Sequence, residues 1–222
     1  MATVTAVESP ETMAELLRQI GEVPLSRLPL RPPMGTATER DVIDALGRAD
    51  KRLYELVDGY LVEKAMGTKE GLLASFLAHL LWAFLEENDL GVVLGADGPV
   101  RLRLRLVRIP DVCFIPWERL PGGELPDETI AGVVPTLAVE VLSEGNTKSE
   151  MDRKLKDYFG AGVRLVWLID PRSETATVYT SPTKSRVVAK EGSLEGERVV
   201  PGFSLPLKEL FARSRRRRRK SR

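Results

Sequence analysis

One cysteine, one histidine and 6% aromatic residues are all that 222 positions hold of three chemically telling classes. Each scarcity excludes something. With Cys113 alone, no intramolecular disulfide can form, and a reducing cytoplasm is the expected setting. A lone histidine, His79, leaves little for a zinc site built from nitrogen and sulfur ligands. No window approaches the ~20 apolar residues of a membrane helix, so no membrane partner is expected. The opening stretch "MATVTAVESPETMAELL" lacks the basic segment and long apolar run of a secretion signal.

What is present is ordinary for a soluble globular protein: 43% apolar and 29% charged residues, enough chain to bury one substantial core. The net charge of +1 is an average over two unlike parts. Arg213 to Arg222 carries eight basic residues and no acid; without those eight, 25 of the 33 bases remain against 32 acids, a body of −7. Three segments are expected. Residues 1–37 form an N-terminal extension, partly helical at Glu11 to Ile20 and extended through "PLSRLPLRPPMG". Residues 38–212 form the domain. Residues 213–222 form a disordered Arg-rich tail, self-repelling and without apolar residues, that can hold phosphates electrostatically.

Within the domain, Thr38 and Asp41 make a weak capping box for a short helix ending near Gly47. Asp58-Gly59 between two apolar runs is a hairpin signal. From Thr68 to Asn88 leucines and phenylalanines recur at i, i+3, i+4, which predicts the longest helix, with Trp82 in its apolar stripe. "VRLRLRLV" alternates strictly and reads as one strand, with Leu102, Leu104 and Leu106 on one face and Arg101, Arg103 and Arg105 on the other. "DVCFI" and "TLAVEVLS" read as buried strands, the second central in a sheet. Thr147 or Asn146 caps a helix over 149–159, and "RLVWLID" follows as another central strand holding Trp167, giving a right-handed βαβ unit. "TATVYT", "SRVVAK" and "ERVV" read as hairpin segments, and "PGFSLPLKELF" closes with a short helix. Edge strands near 175–200 offer a route to a homodimer.

Two of those buried strands carry an acid, Asp111 and Glu140. An ionised carboxylate on a core strand must be paired, protonated or metal-bound. Adjacent strands would bring the two together, where like charges raise one pKa unless a cation lies between them. Oxygen donors and a single histidine favour Mg²⁺ or Mn²⁺ over zinc; the alternative is that each acid pairs with a nearby Lys or Arg. Lys154, on the helix after the Glu140 strand, is placed to reach the pair, orient or help deprotonate a water, and stabilise developing charge. Lys148, Arg153 and Lys156 compete for that role. Glu70, near the start of the long helix, is a third oxygen ligand or base, and otherwise a charge suited to a helix N-terminus. Glu55 and Glu63 are weaker candidates.

The series "YELVDGYLVEK", "VRIPDVCFI", "PTLAVEVLSEGNT", "KLKDYFGAGVRLVWLIDP", "ATVYT" and "PGFSLPLKELF" resembles the Uma2-like, or DUF820, family of putative restriction endonucleases, in unbroken order over residues 38–212. That family is similar to the PD-(D/E)xK nucleases. The resemblance implies an α+β fold with an α/β-like core, a restriction-endonuclease-like mixed β-sheet flanked by helices. It makes Pro110-Asp111 the PD element and Glu140 the second acid. It also implies a metal-dependent endonuclease acting on nucleic acid, DNA first. No lysine stands two residues after Glu140; families of this type are thought to have moved it to the following helix, here Lys154. Where the family commonly has a histidine at the start of the long helix, this chain has Glu70. His79, two and a half turns further on, faces away and reads as structural.

Two other readings compete. An inactive nuclease-like module binding nucleic acid or protein need not bind metal, although an acidic body disfavours tight duplex binding. A glycosidase using the two carboxylates needs a cleft with aromatic platforms, which this composition does not supply. Trp82 and Trp167 read as core, Trp117 as more open, and Asp170 as a strand-end cap.

Overall fold

The computed structural model describes residues 10–50 and 52–214, so most of the Arg-rich tail lies outside the described residues. The βαβ unit organises the rest. Strand β7 (Leu137–Val141) runs parallel to β8 (Leu165–Asp170), and helix α4 (Lys148–Ala161) crosses between them. The remaining strands of this sheet add antiparallel: β6 (Val112–Pro116) and β3 (Gly91–Leu94) on one side, β9 (Thr175–Ser181) and β10 (Lys184–Val188) on the other, giving the order β10-β9-β8-β7-β6-β3. A second, four-stranded sheet has the order β2-β1-β5-β4, from β1 (Tyr54–Val57), β2 (Tyr60–Glu63), β4 (Val100–Arg103) and β5 (Leu106–Arg108). The fold is thus α+β, a mixed sheet with helices on both faces.

Strand alternation decides what each face meets. Leu137, Val139 and Val141 of β7 join Val112, Phe114, Leu165, Trp167 and Ile169 in one core. Helix α3 (Thr68–Asn88) closes it with Leu73, Leu77, Leu81 and Leu85, and α5 (Leu207–Ser214) with Leu207, Leu210 and Phe211. Each of those α3 leucines contributes about 1.5–3 kcal/mol by leaving water. The opposite face of β7 carries Ala138 and Glu140. There α4 packs with Met151, Leu155 and Tyr158, backed by Val57, Val62, Leu102 and Leu106 of the smaller sheet. A carboxylate therefore points at a helix that also shows leucine and methionine.

The N-terminal segment shares this second core. Helix α1 (Met13–Ile20) buries Leu16 and Ile20 there. Its cap, Gly21, sits at φ +97°, and a Cβ on it would stand 2.6 Å from the Cα of Glu150. The Thr147 hydroxyl donates to the Gly21 carbonyl at 2.8 Å, and Arg27, in the 3-10 turn Leu25–Arg27, forks onto Glu150 at 2.7 and 2.8 Å. Burial raises the proton affinity of Glu150, but the hydrogen bond and charge of Arg27 and the charge of Lys154 leave its pKa lowered.

Several elements match the sequence reading. The Asp58-Gly59 turn joins β1 to β2 with both residues left-handed, φ 51° and 96°. Thr38 and Asp41 form the capping box of α2 (Glu39–Leu46), Thr147 caps α4, and Trp167 is fully buried. Asp170 accepts from Arg172 N–H and the Ser173 hydroxyl at the end of β8.

Four readings need correction. "VRLRLRLV" is not one strand: it is a tight hairpin, β4 to β5, turning at Leu104 and at Arg105 with φ 59°. Leu104 is consequently 81% exposed. The arginines are not an open basic face either, because Arg101 is held by Glu39, Arg103 by Asp58, and Arg105 by the Gly35 carbonyl. "ERVV" is a turn, and the strand lies before it as β11 (Ser193–Glu195), paired with β12 (Ser204–Pro206). Trp82 is not core but 42% exposed, because the α3 stripe that faces the sheet is Leu73, Leu77, Leu81, Leu85.

Candidate active site

Pro110 has no N–H to extend β5, and the chain turns there into β6. Asp111 follows directly. Its N–H donates to the Val139 carbonyl at 2.9 Å, which sets it beside Glu140 on β7. Its Oδ2 accepts the Val141 N–H at 2.6 Å. The two acids therefore flank one strand-to-strand step, and the negative charge of Asp111 is one of the influences that raise the pKa of Glu140.

Glu140 is 4% exposed. It accepts from Lys154 Nζ at 3.0 Å on each oxygen and from the Tyr158 hydroxyl at 2.5 Å. Lys154 and Tyr158 lie four residues apart on α4, so both stand over the same patch of sheet. Burial pushes the Glu140 pKa up; Lys154 opposes, and Asp111 and Glu55 add to the rise. Tyr158 is raised well above its ordinary value by burial and by the charges of Glu140 and Glu55, so it stays a hydrogen-bond donor.

Behind this pair lies a second layer that the sequence reading ranked low or missed. Glu55, read as a weak candidate, is fully buried and central. Its carboxylate meets Arg108 at 2.7 Å, Lys154 at 3.2 Å and the Ile109 N–H at 3.0 Å. Arg108 in turn reaches Asp157 at 2.5 Å. Burial alone would raise Glu55, but Lys154, Arg108 and the Ile109 N–H overcome it and hold its pKa down to about 2. Lys154 is pulled down by burial, yet Glu140, Glu55 and Glu150 outweigh that and keep it a cation at neutral pH. It is therefore a fixed ammonium group rather than a proton acceptor. Of the competing bases, Arg153 goes to Asp157 and Asp58, and Lys148 to Asp152 on the exposed side.

These directions carry a pH prediction of definite sign. Glu55 has a folded pKa below its ordinary 4.5, so its contribution is complete above pH ~4.5 and is lost as pH falls towards about 2. Glu140, raised by burial, has the opposite sign: acidification relieves it. Glu55→Gln is expected to lower stability at pH 7, with the gap to wild type narrowing as pH falls below ~4.5. Urea unfolding between pH 7 and 3 measures it; a constant gap would contradict the assignment.

Two clefts open beside the cluster. One, of about 750 Å³, is lined by Lys64, Lys69, Glu63, Glu70 and Arg172 among others. The other, of about 560 Å³, has Asp111 in its wall together with Trp82, His79 and Met66. His79 is exposed on that cleft wall, with its ring beside Phe76. Glu70 is not brought to the acids: its carboxylate folds back over the start of its own helix, against Gly67, while lining the first cleft. Lys64, unmarked in the sequence reading, stands between, with Nζ 2.8 Å from Asp111 Oδ1. Among the described residues, no three metal-ligating side chains are already gathered for an ion.

Residues 42–208 match the model of the Uma2 family, described as "Putative restriction endonuclease". The chain belongs to that family. A solved structure supports the fold: a "putative nuclease belonging to DUF820" from Anabaena variabilis ATCC 29413 superposes with a TM-score of 0.65 at 18% identity, covering 74% of this chain and 92% of that one. No curated protein matches the chain. In this Uma2 member the matched region takes in Glu55, Arg108, Asp111, Glu140 and Lys154, but not α1 or Arg27.

Proposed function

We propose that the protein is a divalent-metal-dependent endonuclease that hydrolyses phosphodiester bonds of DNA. The observation that carries this is Asp111 beside Glu140: its Oδ2 is fixed by the Val141 N–H, while its buried Oδ1 faces a cation, the Lys64 ammonium group, at 2.8 Å. The donor set fits a hard ion. Asp111 Oδ1 and Glu140 offer oxygens, which suit Mg²⁺ or Mn²⁺, and a water or the Glu70 carboxylate from the cleft would complete the shell. Bound there, such an ion would polarise a phosphate and lower the pKa of a water. Lys154 opposes the burial that raises the Glu140 pKa, orients that carboxylate, and adds positive charge where the transition state gains negative charge. Tyr158 fixes the second side of Glu140. Glu55, itself held by Arg108, pairs with Lys154 from behind, and all three side chains are buried from water.

A cleavage assay on supercoiled, linear and single-stranded DNA, and on RNA, tests this. Cleavage of DNA with Mg²⁺ or Mn²⁺ that stops in EDTA is expected; none on any substrate would end the reading. The second reading, an inactive binding module, is favoured by the fact that Asp111 and Glu140 each already have an ammonium partner. Such a module would bind DNA without metal and show no heat of Mn²⁺ binding.

A further inference from the structure

Lys64 follows β2 and buries its side chain to 3% exposure. Its Nζ donates to the Ala96 carbonyl at 3.0 Å and stands 2.8 Å from Asp111 Oδ1. The second contact is a close ion pair whose geometry falls outside that of a directed hydrogen bond. Asp111 is thus anchored through Oδ2 to β7 and left selectable through Oδ1. The Lys64 charge also acts on Glu55 and Glu140. One ammonium group therefore serves the place from which all three carboxylates are felt.

We propose that Lys64 is an internal counter-ion that holds the cation position of Asp111 and yields it when a divalent ion binds, its ammonium group moving into the 750 Å³ cleft that Lys64 lines. This rests on the reading of Asp111 and Glu140 as a metal site. The exchange follows from distances. An ion ~2.1 Å from Oδ1 and an ammonium nitrogen 2.8 Å from the same oxygen are at most about 5 Å apart, two cations in a poorly screened site. The lysine stem is flexible and its head strongly hydrated, so an open polar cleft is a ready destination. Metal affinity is then set by competition, and removal of the Lys64 charge strengthens it.

Calorimetry with Mn²⁺ on the full chain tests this. Lys64→Gln, which keeps a donor for Ala96, is expected to bind Mn²⁺ at least tenfold more tightly than wild type, and Lys64→Arg, which keeps the charge, no more tightly. Acetylation of the wild-type protein, read by peptide mass spectrometry, supplies a measurement that needs no variant: Lys64 is protected in EDTA and becomes reactive with Mn²⁺ bound. Wild type that binds Mn²⁺ while Lys64→Gln gains nothing, or while Lys64 stays protected, overturns the counter-ion and leaves the metal site standing. No Mn²⁺ heat from either protein overturns the metal site and this inference with it.

Discussion

Arg108→Met is expected to destabilise the protein by about 3–5 kcal/mol, the cost of breaking a buried ion pair from one side. Arg108 is 1% exposed, and its guanidinium lies between Glu55 and Asp157. Methionine fills much of the volume but leaves Glu55 with Lys154 as its remaining cation at hydrogen-bond range and Asp157 with Arg153. Glu55 would then compete with Glu140 for one ammonium group. The loss appears in urea unfolding at pH 7. Pairing it with Glu55→Gln should recover part of the loss, because the stranded charge is gone; a double variant as unstable as the sum of the two would show that the two side chains act independently.

Asp111→Asn carries the largest expected effect on activity, a loss of at least about a thousandfold in cleavage, or some 4 kcal/mol of transition-state stabilisation. Some stability is lost with it, because the buried Lys64 ammonium gives up its carboxylate partner and is left with the Ala96 carbonyl. Asparagine keeps an oxygen for the Val141 N–H, and removing the Asp111 charge relieves the repulsion that helps raise Glu140. Cleavage rates with Mn²⁺, taken with thermal unfolding of the same preparations, separate a lost ligand from a lost fold. Cleavage retained within tenfold by a folded Asp111→Asn protein would remove Asp111 from the site.

The larger elements could be read from residue order because local chemistry alone specifies them. Asp58-Gly59 dictates its turn, Thr147 its helix start, and the apolar run around Glu140 a central strand. Asp111, Glu140 and Lys154 were legible as partners because a βαβ unit folds the helix back over its own strand. Glu70 shows that a position near a helix N-terminus does not say which way a flexible carboxylate turns, here over Gly67. Arg108 and Lys64 were missed for a different reason. The alternation read through "VRLRLRLV", carried two residues further, sets Arg108 on the leucine face, which is where β5 puts it. Lys64 had no such signal: its meeting with Asp111 depends on how two sheets approach, and no spacing in the chain encodes that. His79 and Trp82 show the limit of periodicity on a long helix, which fixes an angle between side chains but not the width of the covered face.

The docking of α1 has a consequence for where this protein can be cut. A fragment holding only the matched residues 42–208 would strip Arg27 from Glu150, bare the outer side of α4, and remove Leu16 and Ile20 from beside Met151 and Leu155. The helix that presents Lys154 would then be gripped from the sheet side only. The smallest piece able to hold that ammonium group in register is longer than the stretch that family likeness marks out, and its first indispensable turn lies some thirty residues upstream.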